Sequence, residues 1–120
     1  MLTGDAFHLL PGMHARGDRF DIVILDPPAF AKAQAEVERA LGSYARIVRM
    51  GLDVLARDGL LVAASCSSRI TADRFRELVV ETARQAGRSI DVEHQTGHAL
   101  DHPIGFPEGA YLKCIFARVR

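Results

Sequence analysis

A surplus of either charge is missing from this sequence. Its 120 residues carry 15 Lys and Arg against 15 Asp and Glu, a formal net charge of zero. Whole-chain electrostatics therefore give no general attraction to nucleic acid or to a membrane surface. The positive side chains are nearly all Arg, however, and the guanidinium suits bidentate phosphate contact, so a local basic patch stays open. Long apolar runs are missing too. No stretch approaches the length of a membrane span, and "MLTGDAFHLL" lacks the basic start, apolar core and cleavage site of a secretory signal. These absences point to a cytoplasmic protein without membrane contact. Cysteine is scarce: Cys66 and Cys114 lie far apart in two apolar runs, without the spacing of small secreted disulfide proteins, which favours free thiols. Internal repeats, low-complexity segments and linkers are absent as well.

What is present is the composition of an ordinary globular domain, 48% hydrophobic and 25% charged. A chain of this length forms one domain at most and buries roughly two thirds of the surface its unfolded form exposes. Asp5 is placed to cap a first helix carrying Phe7, Leu9 and Leu10, with Pro11, Gly12 and Gly17 as reasons for it to be brief or irregular. "FDIVILD", Phe20 to Asp26, reads as a strand covered on both faces. Apolar residues then recur at helical spacing through Val37, Leu41, Tyr44, Ile47, Val48, Leu52 and Leu55, a stripe that Gly42 is placed to divide. Asp58-Gly59 reads as a turn into a second buried strand, Leu60 to Ala64, with Ser65 to Ser68 at its exit. Thr71 caps a helix whose stripe runs Phe75, Leu78, Val79, Ala83 and Ala86 and which Gly87 ends. "SIDVEHQ" alternates as a strand, "TGHALDHPIGFPEG" is a polar loop, and "AYLKCIFARVR" is a last strand.

This order implies an α/β sheet with parallel crossovers and a last pair free to run antiparallel. In such sheets ligands sit beyond the carboxyl ends of the strands, so Asp26 and the segment Ser65 to Ser68 fall on one rim. Pro27 and Pro28 fix two successive φ angles and remove two backbone donors, which sends the chain out of the sheet in a set direction. A carboxylate on so rigid an exit can hold its geometry against a substrate, with Phe30 as an apolar or stacking wall. A strand followed by Asp-Pro is also simply a turn. Likewise a Cys at the end of a buried strand is often just a small buried hydrophobe, the reading kept for Cys114. His94, His98 and His102 stand four apart, as metal ligands on a helix would, but Gly97 and Pro103 argue against that helix, and no metal is expected. Tyr44 reads as core packing, and the face to which Lys113 points is left open.

"DPPAFAKAQAEVERALGSY", "GLLVAASCSS" and "DHPIGFPEGAYLKC" together resemble the bacterial family of class I S-adenosylmethionine-dependent methyltransferases that makes 5-methylcytosine in 23S ribosomal RNA. The match runs from about Gly4 to the C-terminus. The resemblance implies the C-terminal half of a Rossmann-like class I methyltransferase sheet, parallel with an antiparallel last strand. It implies Cys66 as the nucleophile that adds to cytosine C6 and Asp26 as the group bonding the ring near N3, with Pro27, Pro28 and Phe30 on the substrate side. "GDAF" looks like the segment that receives the cofactor adenine, which would place Asp5, Ala6 and Phe7, with Asp26, on the cofactor side. Arg39, Arg46 and Arg69 are candidates for RNA phosphates.

Against that family, residues 1–120 lack the strand leading into a Gly-rich loop, the acidic residue that binds the ribose hydroxyls and the N-terminal RNA-binding domain. The expectation is a partial catalytic domain that binds S-adenosylmethionine weakly or not at all and is inactive alone. With half the sheet gone, "FDIVILD" becomes an exposed edge, which implies a homodimer. A nitrogen-directed or small-molecule methyltransferase and a non-catalytic dimeric module are the alternatives.

Overall fold

The structure is a computed structural model, and it describes residues 6–27, 34–67, 70–96 and 113–120. Among them the elements run α1 (Ala6–Ala15), β1 (Phe20–Leu25), α2 (Val37–Asp53), β2 (Leu55–Ser65), α3 (Ala72–Gln85), β3 (Ile90–Thr96) and β4 (Lys113–Val119), with a single 3-10 turn at Gln34–Glu36 before α2. The strands form one mixed sheet in the order β1-β2-β4-β3. β1 and β2 are parallel, as a strand–helix–strand crossover requires, while β4 runs antiparallel to both β2 and β3. The second crossover therefore does not make neighbours of β2 and β3, because β4 returns between them.

The helices that flank the sheet share one of its faces. Val23 and Leu25 of β1, Leu61 and Ala63 of β2, and Ile115, Ala117 and Val119 of β4 are buried in one core with Leu41, Tyr44, Val48 and Leu52 of α2 and Phe75, Val79 and Ala83 of α3. Strand alternation puts the intervening residues on the other face. There Ile22 and Ile24 are 58% and 68% exposed, and Leu60, Val62, Cys114 and Phe116 are only half-buried. Among the described residues β1 is thus an edge strand whose second face carries the exposed Ile22 and Ile24, against the expectation of a strand covered on both faces.

Three local expectations need correction. α2 is continuous from Val37 to Asp53: Gly42 lies exposed, and a Cβ there would meet nothing within 4 Å, so it does not break the helix. α1 runs through Pro11, the sixth of its ten residues, which supplies no amide to the helix, and ends before Gly17 at φ 80°. Asp58-Gly59 is not a turn into β2 but a bulge inside it. Leu55 already pairs with Phe20, and the register then jumps to Ile22 opposite Leu60. Asp58 takes φ 63° at the bulge, and a Cβ on Gly59 would stand 2.8 Å from the Ala56 carbonyl oxygen.

α3 forms as its sequence dictates. The Thr71 side chain accepts a hydrogen bond from the Arg74 amide at 3.1 Å, Asp73 sits in the first turn, and Gly87 closes the helix at φ 75°.

Candidate active site

Three strand ends meet at one rim. β1 and β2 end there in parallel, and β4, running the opposite way, begins there. This brings Asp26, Cys66, Lys113 and Cys114 to the same edge of the sheet.

Each chain exit is built differently. Asp26 is exposed one residue beyond β1, and Pro27 behind it is buried. Cys66 is exposed one residue beyond β2, between Ser65 and Ser67, which are 0% and 1% exposed. The Ser65 hydroxyl donates to the Tyr44 hydroxyl at 3.0 Å, and the Ser67 amide donates to Ser65 Oγ at 3.3 Å. Lys113, directly opposite Ser65 in the register, lies buried on the helix face, and its Nζ donates to the Ser67 carbonyl at 2.8 Å. Tyr44 is fixed in turn by an edge-on contact with Phe75, 5.7 Å between ring centroids. Both serines beside Cys66 are therefore held by hydrogen bonds to three elements, and the side chain left facing solvent is the thiol.

The two free thiols have unlike surroundings. Burial pushes the Cys114 thiol up, and the Asp26 carboxylate raises it further; a hydrogen bond from the Ile115 backbone offsets part of this. Burial pushes the Lys113 ammonium down, while its attraction to Cys66 works the other way. A carboxylate thus faces one cysteine and an ammonium the other.

Sequence reasoning left the direction of Lys113 open and treated Tyr44 as core packing alone. Tyr44 is in the core, 1% exposed, and also accepts from Ser65. No sequence signal assigns Lys113 to the helix face, since that depends on how β4 registers against β2. Phe7 is half-buried on α1 with the Arg46 guanidinium 5.0 Å from its ring centroid. Ala6 opens α1, and Arg39 is exposed on α2. His94 lies in β3, its ring 5.8 Å from that of Phe116. Asp5, Pro28, Phe30, Arg69, His98 and His102 lie outside the described residues. Among the described residues no cluster of His, Cys, Asp and Glu could hold a metal ion, and no helix is long and apolar enough to cross a membrane.

The fold defines a class: an α/β sheet of methyltransferase type. SMU.776, solved in complex with SAH, superposes with a TM-score of 0.75 at 21% identity, over 97% of this chain and 30% of that one. NSun6 from Pyrococcus horikoshii, solved with SFG, gives 0.64 at 18% identity, over 99% of this chain and 33% of that one. Sequence similarity narrows the class. The chain is 40% identical over 118 residues to a ribosomal RNA large subunit methyltransferase of Deinococcus radiodurans, which covers 98% of this chain and 29% of that protein. It is 38% identical to ribosomal RNA large subunit methyltransferase I of Aeromonas hydrophila, over 97% of this chain and 30% of that protein. It is a partial homologue of these enzymes, spanning about 30% of the length of the curated relatives it matches. No protein-family model matches the chain.

Proposed function

We propose that this chain is the substrate-side half of an RNA methyltransferase, with cytosine C5 of large-subunit ribosomal RNA as target and S-adenosylmethionine as methyl donor. The observation that carries this reading is Cys66, exposed between two buried, hydrogen-bonded serines on the rim it shares with Asp26. Homology to ribosomal RNA large subunit methyltransferases supports it. A ribosomal RNA substrate also fits a cytoplasmic protein.

Cytosine C5 is a weak nucleophile until a thiolate adds to C6. The S–C6 bond forms, the C5–C6 π pair is released into the ring, and C5 becomes the carbon that accepts an electrophile. Asp26 hydrogen-bonds the ring near N3, and Pro27 shapes the base pocket. Loss of the C5 proton then expels the thiolate and restores the ring.

The residues present do not fit S-adenosylmethionine by themselves. No two glycines in the sequence stand two apart, so the G-x-G turn that brings backbone amides to such a ligand is missing. Arg46 covers one face of the Phe7 ring. Asp26 remains as the described carboxylate, and a single carboxylate does not hold so large a ligand. The chain therefore binds the methyl donor weakly or not at all, and no methyl transfer is assigned to it alone.

Thiolate addition can be tested without a methyl donor, because the activated C5 exchanges its hydrogen with water. RNA carrying [5-3H]cytosine should release tritium in the presence of the folded chain and of Cys114→Ala, and not with Cys66→Ala. Release that survives Cys66→Ala, or none above an RNA-only control, would contradict the reading. The second outcome is what a nitrogen-directed or small-molecule methyltransferase gives. A non-catalytic dimeric module gives it as well, and that second reading has an observation in its favour, the bare β1 edge with Ile22 and Ile24 exposed.

A further inference from the structure

The rim holds a side chain that the reaction above does not use. Lys113 is 6% exposed, an unusual place for an ammonium, which is seldom buried without partners. It stands opposite Ser65 in the antiparallel ladder, and its Nζ reaches past that residue to the Ser67 carbonyl at 2.8 Å. The bond spans the residue between the two serines, which is Cys66.

We infer that Lys113 is a positioning residue for Cys66: it clamps the Ser65–Cys66–Ser67 exit through the Ser67 carbonyl and supplies the positive charge that steadies the Cys66 thiolate. This rests on the reading of Cys66 as nucleophile and extends it to the residue that prepares it. Among the described residues, titratable groups reach the rim from each of these elements: Asp26 from the end of β1, Tyr44 from α2, Cys66 from the end of β2 and Cys114 from β4. α3 meets the cluster through Phe75, which carries no charge. Of these groups, Asp26 has its charge set against Cys114, whose ionisation it opposes, while the ammonium attracts charge on Cys66. A cation beside a thiol favours the thiolate, and a partly buried cation does so more strongly than an exposed one because less water screens it. The same bond fixes direction. With Ser65 tied to Tyr44 and Ser67 tied to Lys113, the sulfur is left facing the solvent side of the rim. Two thiols on one rim are thereby placed differently, Cys66 facing solvent and Cys114 half-buried within β4.

The test measures thiol chemistry and uses no RNA, so its failure is separate from failure of the proposed reaction. In a Cys114→Ser background, iodoacetamide should alkylate Cys66 about tenfold more slowly at pH 7 in Lys113→Met than in the parent, with the two rates converging at high pH. Lys113→Arg should restore most of the rate, since a purely steric role would not respond to charge. Superimposable pH–rate profiles in a folded Lys113→Met chain would overturn the inference. If Lys113→Met does not fold, the lysine reports directly: the 13Cε resonance of Lys113, followed against pH, should titrate lower in Cys66→Ser than in the unaltered chain. Identical titrations would equally overturn it.

Discussion

Cys66 and Cys114 are the same residue type on the same rim, and what separates them is local. That Cys66 lies at the exit of β2 was legible because Ser-Cys-Ser closes a buried apolar run; that Cys114 lies within a strand was legible because it sits inside such a run. What the sequence could not show is which charges face them. Lys113 and Cys114 are adjacent, and strand alternation sends them to opposite faces, but the face that meets α2 follows only from the pairing with β2. The Cys114 environment has a stability consequence. Its thiol is held above the ordinary value of 9.0, by burial first and by Asp26 second. As pH rises the unfolded chain gives up that proton before the folded one does. The contribution to stability is therefore complete below pH 9.0 and is lost as pH climbs through the folded value. Lys113, with its value lowered by burial, acts in the opposite sense on the alkaline side, so the comparison must be between variants. Denaturant melts of the parent and of Cys114→Ala between pH 8 and pH 11 should show the parent losing its relative advantage as pH rises. A pH-independent difference would contradict this.

At the scale of elements, the helices were read more surely than their joints. α3 was legible end to end because cap, stripe and terminating glycine agree. The bulge at Asp58-Gly59 was read as a turn because a two-residue turn signal looks the same whether it joins two elements or kinks one. The insertion of β4 between β2 and β3 has no signature in either strand, since it depends on which edge the returning chain takes. Arg88, just after Gly87, also escaped notice although it locks several elements together. Its Nη1 donates to the Leu52 carbonyl at 2.7 Å and the Leu55 carbonyl at 2.9 Å, Nη2 to that of Ala56 at 3.1 Å, and Nε to that of Arg120 at 3.2 Å. One guanidinium thus satisfies carbonyls at the end of α2, at the start of β2 and beyond β4. Hydrogen bonds from a charged donor are each worth about 1.5–3 kcal/mol, and water can recover part of what truncation strips away. Arg88→Ala should therefore lower unfolding free energy by about 3 kcal/mol. Lys at this position has one nitrogen in place of a planar fork and should recover less than half of that. Urea unfolding of the two variants decides it; a loss below about 1 kcal/mol would mean that the carbonyls are satisfied otherwise.

Taken together, the described residues form a sheet with α2 and α3 packed on one side. Composition, periodicity and the resemblance together made an α/β sheet legible, with β1 at its edge. They did not show which face of β2 and β4 the helices cover, because the alternation within those strands is apolar on both faces. Among the described residues β1 pairs with β2 alone, and an edge that carries exposed Ile22 and Ile24 favours a second copy as its cover. Light scattering should find about twice the single-chain mass at rising concentration. Ile24→Lys should return the protein to the single-chain mass with its circular dichroism unchanged, and a monomeric parent at every concentration would contradict the dimer.

On the proposed reading a division follows: the nucleophile and its supports are assigned to this chain, and the groups that would hold the methyl donor are not. Calorimetric titration of S-adenosylmethionine into the folded chain tests that division most directly. Flat heats are predicted, whether the protein is a monomer or a dimer. Saturable binding at micromolar affinity would contradict the account, because these residues would then form a cofactor site without any glycine-rich turn.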